Sequence, residues 1–120
     1  MAATKQYQWY KVAESEADLN WQHNQLCEVQ VKGKTLCVAR TANGLYACAQ
    51  KCPHAGGYMA AGFTDAAGNI VCPLHRYKFN LQNGRNVSGE GYYLKTYPVE
   101  LRADGVYIGI EAGNWLSWLG

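Results

Sequence analysis

A repeated cysteine-proline element constrains this chain more than any other feature of its sequence. The stretch Cys52-Pro53-His54 recurs as Cys72-Pro73-Leu74-His75, with 17 residues between the first histidine and the second cysteine. Proline fixes its own φ, has no N–H to donate and favours an extended conformation in the residue before it. Each cysteine is therefore expected to leave a strand on a stiff loop that carries a histidine just beyond it.

The two loops offer a mixed set of metal ligands, because each supplies one cysteine and one histidine. Thiolate and neutral imidazole are the preferred side-chain ligands of zinc and iron. Structural zinc sites usually pair two cysteines in one knuckle with two ligands in another, which is not the arrangement here. The mixed set suits a two-iron cluster in which two thiolates hold one iron and two imidazoles hold the other. A structural zinc module remains the alternative.

Strand patterns dominate the rest of the chain. Residues 6 to 12 alternate and are rich in aromatics, and later segments predict two hairpins and a further turn. Residues 51 to 84 form a glycine-rich excursion without clear strand periodicity, and only residues 15 to 20 and the tail with Trp115 and Trp118 have a helical pattern. The sequence therefore predicts an antiparallel β domain. The predicted turns are Lys32-Gly33-Lys34, Asn43-Gly44 and Ala103-Asp104-Gly105.

Length and composition restrict the classes of function. The 120 residues are enough for one domain, and a net charge of +2 without a Lys/Arg run argues against a nucleic-acid partner. The first residues lack the apolar region of a signal peptide, and no apolar run approaches the roughly 18 residues of a membrane helix. We therefore expect a soluble, cytoplasmic protein with no membrane partner.

The five cysteines divide into two groups. Without a secretion signal they are expected to be reduced thiols or metal ligands rather than disulfides. Cys27, Cys37 and Cys48 lie in apolar segments and are expected to be small buried hydrophobic residues. Cys48 precedes Cys52 by four residues and could approach the site.

The two loops resemble the signature of Rieske-type 2Fe-2S proteins, which is C-x-H followed, after a spacer of this length, by C-x-x-H. The resemblance is clearest over residues 45 to 84, and Tyr97-Pro98-Val99 and the β pattern extend it to most of the chain. It implies an all-β Rieske iron-sulfur domain fold over residues 1 to 120, with antiparallel sheets and a small cluster-binding subdomain at about 45 to 84. The implied ligands of the Rieske 2Fe-2S cluster are Cys52 and Cys72 on one iron and His54 and His75 on the other.

Departures from the family pattern narrow the implied role. Membrane-anchored members carry a disulfide between the loops, where this chain has Gly57 and Leu74. They also donate serine and tyrosine hydroxyls near the cluster, where this chain has Tyr77 and Phe79. We therefore expect a potential near the low end of the roughly −150 to +300 mV Rieske range. Rieske oxygenases add a large domain with a mononuclear iron, for which this chain lacks the ligands.

The resemblance thus implies an electron-transfer protein without a substrate site of its own. It would be a Rieske ferredoxin that carries one electron at a time from a reductase to an acceptor such as an oxygenase. The small subunit of assimilatory nitrite reductase is the alternative within the same family.

Basic residues near the ligands predict where a partner docks. Lys51, Arg76 and Lys78 form a possible basic collar that would steer an acidic partner. Many soluble relatives have glycine where this chain has Arg76. If the backbone there requires a positive φ, the arginine costs on the order of 1 kcal/mol.

Overall fold

Ten strands and two short 3₁₀ turns make up the regular structure of the described residues, which are 6–53, 56–89 and 91–112 of the computed structural model. The 3₁₀ turns are Glu16–Asp18 and Met59–Ala61. The strands are β1 (Tyr7–Ala13), β2 (Leu26–Val31), β3 (Lys34–Thr41), β4 (Gly44–Ala49), β5 (Phe63–Thr64), β6 (Asn69–Val71), β7 (Lys78–Asn80), β8 (Thr96–Tyr97), β9 (Val99–Arg102) and β10 (Gly105–Glu111).

The strands form three antiparallel sheets, which confirms the predicted all-β fold class. The base sheet has the order β1-β10-β9, and the central sheet has the order β2-β3-β4-β8. The small sheet has the order β5-β6-β7 and is built from residues that follow the first cysteine loop.

The central sheet is the middle layer, and its strand β3 shows why. Successive side chains of a strand point to opposite faces, so one face of β3 carries Leu36 and Val38 and the other carries Cys37 and Ala39. All four are buried, and each pair belongs to a different hydrophobic core. A run of apolar residues without alternation is what a strand covered on both faces requires. The partners of β3 across the two interfaces are Val106 and Ile108 of the base sheet, and Ile70, Phe79 and Leu81 beside the second cysteine loop.

Two predicted hairpins are present. The β2–β3 hairpin turns at Lys32 and Gly33, which have φ values of 53° and 77°. Two consecutive positive φ values are the type I′ pattern, whose twist matches that of the flanking strands. The β9–β10 hairpin turns through Ala103 and Asp104 as predicted.

Residues 92 to 101, which carry the strand pattern before the predicted Ala103-Asp104-Gly105 turn, are divided between two sheets and do not form one strand. β8 pairs with β4 in the central sheet, whereas β9 pairs with β10 in the base sheet. Pro98 lies between β8 and β9 and has no N–H to continue a ladder. The chain changes sheets at this proline.

The excursion over residues 51 to 84 contains strands that its sequence pattern does not show. β5, β6 and β7 are only two or three residues long, which is too short for a period of two to be visible. They pair through Val71, Phe79 and their neighbours to form the small sheet.

Helical structure is minor in the described residues. The pattern at residues 15 to 20 corresponds to the 3₁₀ turn Glu16–Asp18, and the tail with Trp115 and Trp118 lies outside the described residues. No helix in the described part of the chain has the length and apolar character needed to cross a bilayer.

Candidate metal centre

The two predicted cysteine loops are closed by equivalent hydrogen bonds. The backbone N–H of Cys52 donates to the carbonyl of Gly57 at 2.7 Å, and that of Cys72 donates to the carbonyl of Tyr77 at 2.8 Å. Each bond joins a cysteine to the residue five positions later. The Cys-Pro repeat of the sequence is therefore also a repeat of local structure.

The two loops bring their cysteine side chains together in a buried position. Cys52 and Cys72 are 3% and 0% exposed, and their side chains are linked by a hydrogen bond. Burial, and then the hydrogen bond with Cys52, raises the pKa of the Cys72 thiol to about 11, although the Leu74 backbone N–H opposes the rise. Without a metal, the Cys72 thiol is thus held protonated at neutral pH. Two thiolates at this position require the positive charge of a metal ion.

Of the two predicted histidine ligands, the structure describes His75. His75 is exposed and follows Cys72 by three residues, in a left-handed backbone conformation with φ of 62°. His54 lies outside the described residues. Within residues 6–53, 56–89 and 91–112, no three histidine, cysteine or acidic side chains converge on one point. Among the described residues, the structure thus brings the two predicted cysteine ligands together.

The backbone at Arg76 has a positive φ, which is the condition under which an arginine in place of glycine costs free energy. Its φ is 57°, directly after the positive φ of His75. A non-glycine residue in this region costs on the order of 1 kcal/mol. The second loop therefore stores strain at its exposed end, next to a predicted ligand.

Gly57 leaves the space that the two loops need to approach each other. A Cβ atom on Gly57 would lie 3.0 Å from Cγ of Leu74 and 3.4 Å from Sγ of Cys72. Gly57 and Leu74 are the positions where the resemblance places the disulfide of membrane-anchored relatives. Their proximity here shows that the two loops face each other at these positions.

An apolar wall backs the two sulfurs. Cys52 and Cys72 belong to one buried core with Met59 and Phe79, both 0% exposed, and Tyr77 packs against that core. These side chains keep water away from the inner side of the two sulfurs. A two-iron cluster fits such a donor set, because the thiolates lie on the dry side and the loops open toward solvent.

The remaining three cysteines are buried and free, as expected. Cys37 and Cys48 are direct neighbours across β3 and β4, and their hydrogen bond, with burial, raises the pKa of Cys37. Burial raises the pKa of Cys27, in the other core, to about 11. Cys48 does share a core with Cys52, but its hydrogen bond is with Cys37.

Sequence reasoning missed the polar side chains that hold the segment after the first loop. Nδ2 of Asn24 donates to the carbonyls of Ala60 and Gly62 at 3.0 and 2.9 Å, and Nε2 of Gln22 donates to the Ala60 carbonyl at 2.8 Å. Gln50 accepts from the Ala60 N–H at 2.9 Å. The contacts of Gln22 and Asn24 join residues that are 36 to 38 positions apart, so no local sequence pattern predicts them.

The basic side chains near the loops are not equivalent. Lys51, Arg76 and Lys78 are all exposed. Nζ of Lys78 lies 3.9 Å from the carboxylate of Asp65, which offsets part of its charge. Burial alone would raise the pKa of Asp65, but hydrogen bonds from Asn69 and Ala67, with the charge of Lys78, leave it below its usual value.

The family model of the Rieske [2Fe-2S] domain matches residues 8–98. The chain belongs to the Rieske [2Fe-2S] family. Its cofactor is accordingly a Rieske-type 2Fe-2S cluster.

Two known proteins of different sizes are similar to this one. It is 30% identical to cholesterol 7-desaturase nvd of Bombyx mori over 98 residues, which are 76% of this chain but only 21% of the desaturase. It is 32% identical over 84 residues to the ferredoxin component of the naphthalene 1,2-dioxygenase system of Pseudomonas aeruginosa, covering 69% of this chain and 80% of the ferredoxin.

A solved structure shares the fold over nearly its whole length. It is assigned as the NADH-dependent nitrite reductase small subunit of Mycobacterium tuberculosis and superposes with a TM-score of 0.75 at 18% identity. The match covers 89% of this chain and 98% of that one. At this identity, the likeness shows the Rieske fold alone.

Gly57 gives a direct test of the contact between the loops. We predict that Gly57→Ala is tolerated, because the half-exposed Leu74 can move aside, and that Gly57→Val lowers the iron content per chain. Overpacking of this kind costs about 1–3 kcal/mol. Adding Leu74→Ala to Gly57→Val should restore part of the iron, which elemental analysis of the purified variants measures.

Gly91→Val is the matched control, because a Cβ at Gly91 meets nothing within 4 Å. Normal iron content in a folded Gly57→Val variant would show that the loops do not approach each other at this position.

Proposed function

We propose that this Rieske protein is a one-electron carrier whose cluster is held by Cys52, Cys72, His54 and His75. The observation that carries the proposal is the pair of equivalent loops that brings two buried cysteines together in a chain of this family. When bound, the 2Fe-2S cluster supplies a centre that gains and loses one electron.

The side chains of this protein give the site a dry side and an exposed side. Cys52 and Cys72 hold iron against the apolar core, where Phe79 excludes water. His75 lies on the exposed side of its loop. An exposed ligand gives the electron a short route to a partner, so the partner is proposed to dock over the two histidines.

The partners we infer are a reductase as donor and an oxygenase as acceptor. The ferredoxin component of a dioxygenase system supports this assignment, since most of its length matches this chain. We infer a cytoplasmic location, because free cysteines such as Cys27, Cys37 and Cys48 persist where thiols are kept reduced.

A second candidate is a small subunit of nitrite reductase. The Mycobacterium tuberculosis protein has the same fold, which such a subunit would require. In that role the chain would remain bound to a catalytic subunit, whereas a carrier binds its donor and its acceptor in turn. Reduction of the free protein by a reductase, followed by its oxidation by an oxygenase, distinguishes the two.

The composition of the site tests the proposal. Protein expressed with iron and purified without oxygen should be red-brown, contain two irons and two acid-labile sulfides per chain, and become paramagnetic on one-electron reduction. Replacing Cys52 or Cys72 by serine should abolish the colour. Cys27→Ser, in the core on the other side of the central sheet, should retain it.

Colourless protein with one stoichiometric zinc would instead support the structural zinc module and overturn the carrier.

The collar residues Lys51, Arg76 and Lys78 test the partner surface. Because Asp65 offsets the charge of Lys78, Arg76→Glu should slow electron transfer with the native partner more than Lys78→Glu, and Asp65→Asn should accelerate it. We expect changes of about threefold to tenfold at low salt, which fade as the Debye length falls to about 10 Å at 0.1 M. Stopped-flow mixing of the two proteins at several ionic strengths measures these rates.

Lys11→Glu in the base sheet makes the same change of net charge and serves as the control. If it slows transfer as much as Arg76→Glu, then net charge and not a local collar governs association.

A further inference from the structure

The two cysteine loops are attached to the fold in different ways. The second loop lies between β6 and β7, which pair through Val71 and Lys78 directly at its base. The first loop follows β4, but the chain returns from it into the 3₁₀ turn Met59–Ala61 and not into a strand. Beyond the Cys52–Gly57 hydrogen bond, its base is closed by an isolated bridge between Lys51 and Tyr58, where the second loop has a strand pair. The first loop therefore needs another anchor.

Gln50 provides two hydrogen bonds where a strand would have provided a ladder. The first N–H groups of a helical turn have no acceptor within the turn, and Tyr58, at its start, offers no side-chain cap. The Met59 N–H donates to the backbone carbonyl of Gln50 at 2.7 Å, and the Ala60 N–H donates to its Oε1 at 2.9 Å. The residue directly after β4 thus caps the turn that follows the loop.

Glu28 determines which way round the Gln50 amide lies. Nε2 of Gln50 donates to the Glu28 carboxylate at 2.7 Å, across 22 residues of sequence. A carboxylate only accepts and a backbone N–H only donates, so both partners require the same orientation of the amide. Gln50 is only 4% exposed and its hydrogen bond with Ala60 is buried, so water does not readily replace that bond, whereas Glu28 lies at the surface.

We propose that Gln50 is a positioning residue for the first cysteine loop, and that Glu28 orients its amide. The hydrogen bonds that join Glu28, Gln50 and Ala60 form a tether. This tether fixes Ala60 to the residue after β4 and thereby sets the position of Cys52 relative to Cys72. This inference rests on the proposed function, in which Cys52 holds iron, but the tether itself is a property of the polypeptide. Its loss leaves the buried Ala60 N–H without an acceptor and loosens the first loop while the second keeps its ladder.

The first experiment measures amide hydrogen exchange by mass spectrometry in Gln50→Leu. Peptides within residues 51 to 62 should exchange about tenfold faster, the size expected for one lost buried hydrogen bond, while residues 71 to 80 are unchanged. Gln30→Leu is the control, because Gln30 also bonds a side chain, Thr35, but on the exposed surface of the β2–β3 hairpin. Unchanged exchange over residues 51 to 62, or equally faster exchange over both regions, would overturn the proposal.

The second experiment swaps the amide and the carboxylate between positions 28 and 50. Gln50→Glu places a second carboxylate against Glu28 and should accelerate exchange of the first loop at pH 8. Glu28→Gln alone keeps a side-chain acceptor for Nε2 of Gln50 and should have a small effect. The double variant restores the hydrogen bond with donor and acceptor reversed, so it should recover wild-type exchange. Additive effects in this cycle would show that the two side chains do not act together.

A spectroscopic measurement links the tether to the cluster. In Gln50→Leu, the electron paramagnetic resonance signal of the reduced protein should broaden or shift, and a chelator should remove iron about tenfold faster. The double variant should recover both properties. Absence of any cluster in wild-type protein would contradict the proposed function alone, since the exchange experiments do not depend on iron.

Discussion

Burial of two cysteine side chains in one apolar core is the constraint on which the rest of this structure depends. A thiol in such a place stays protonated, and a thiolate there needs a compensating positive charge. Cys52 and Cys72 reach this position from separate loops, and each loop is closed by the same backbone hydrogen bond. The core that receives them is the outer interface of the central sheet, whose other face is covered by the base sheet. The layered fold therefore supplies the dry side of the metal centre.

The exposed side of the centre follows from the same arrangement. Proline after each cysteine turns the chain outward, and the left-handed conformations of His75 and Arg76 continue that turn at the surface. The strain of two consecutive non-glycine residues at positive φ falls at the position proposed for docking. The partner surface would then combine a fixed apolar base with charged side chains whose contribution depends on their own ion pairs, as Lys78 and Asp65 show.

The sequence was sufficient to predict the family, the all-β fold, the cofactor and the main hairpins, because these depend on local patterns. Turn residues such as Gly33 and the proline after each cysteine act within a few positions of themselves. The division of residues 92 to 101 between two sheets was missed, although Pro98 marks the place. Strand propensity says where a strand can form and not which sheet receives it.

The support of the first loop could not have been predicted. Gln50, Glu28 and Asn24 are ordinary surface residues by type, and their roles arise only when the fold brings distant segments together. The small sheet was missed for a related reason, since strands as short as Phe63–Thr64 are defined by their partners and not by periodicity. The ligand set, with His54 and His75, remains a prediction from the motif.

The central claim is that two cysteines and two histidines from paired loops hold one 2Fe-2S cluster. The most direct measurement is pulsed electron paramagnetic resonance of the reduced protein, labelled with ¹⁵N only at histidine. We expect couplings from two histidine nitrogens, both retained in His23→Gln and one lost when His75 is replaced by cysteine. A reduced cluster without histidine nitrogen coupling, or with couplings unaffected at position 75, would contradict it.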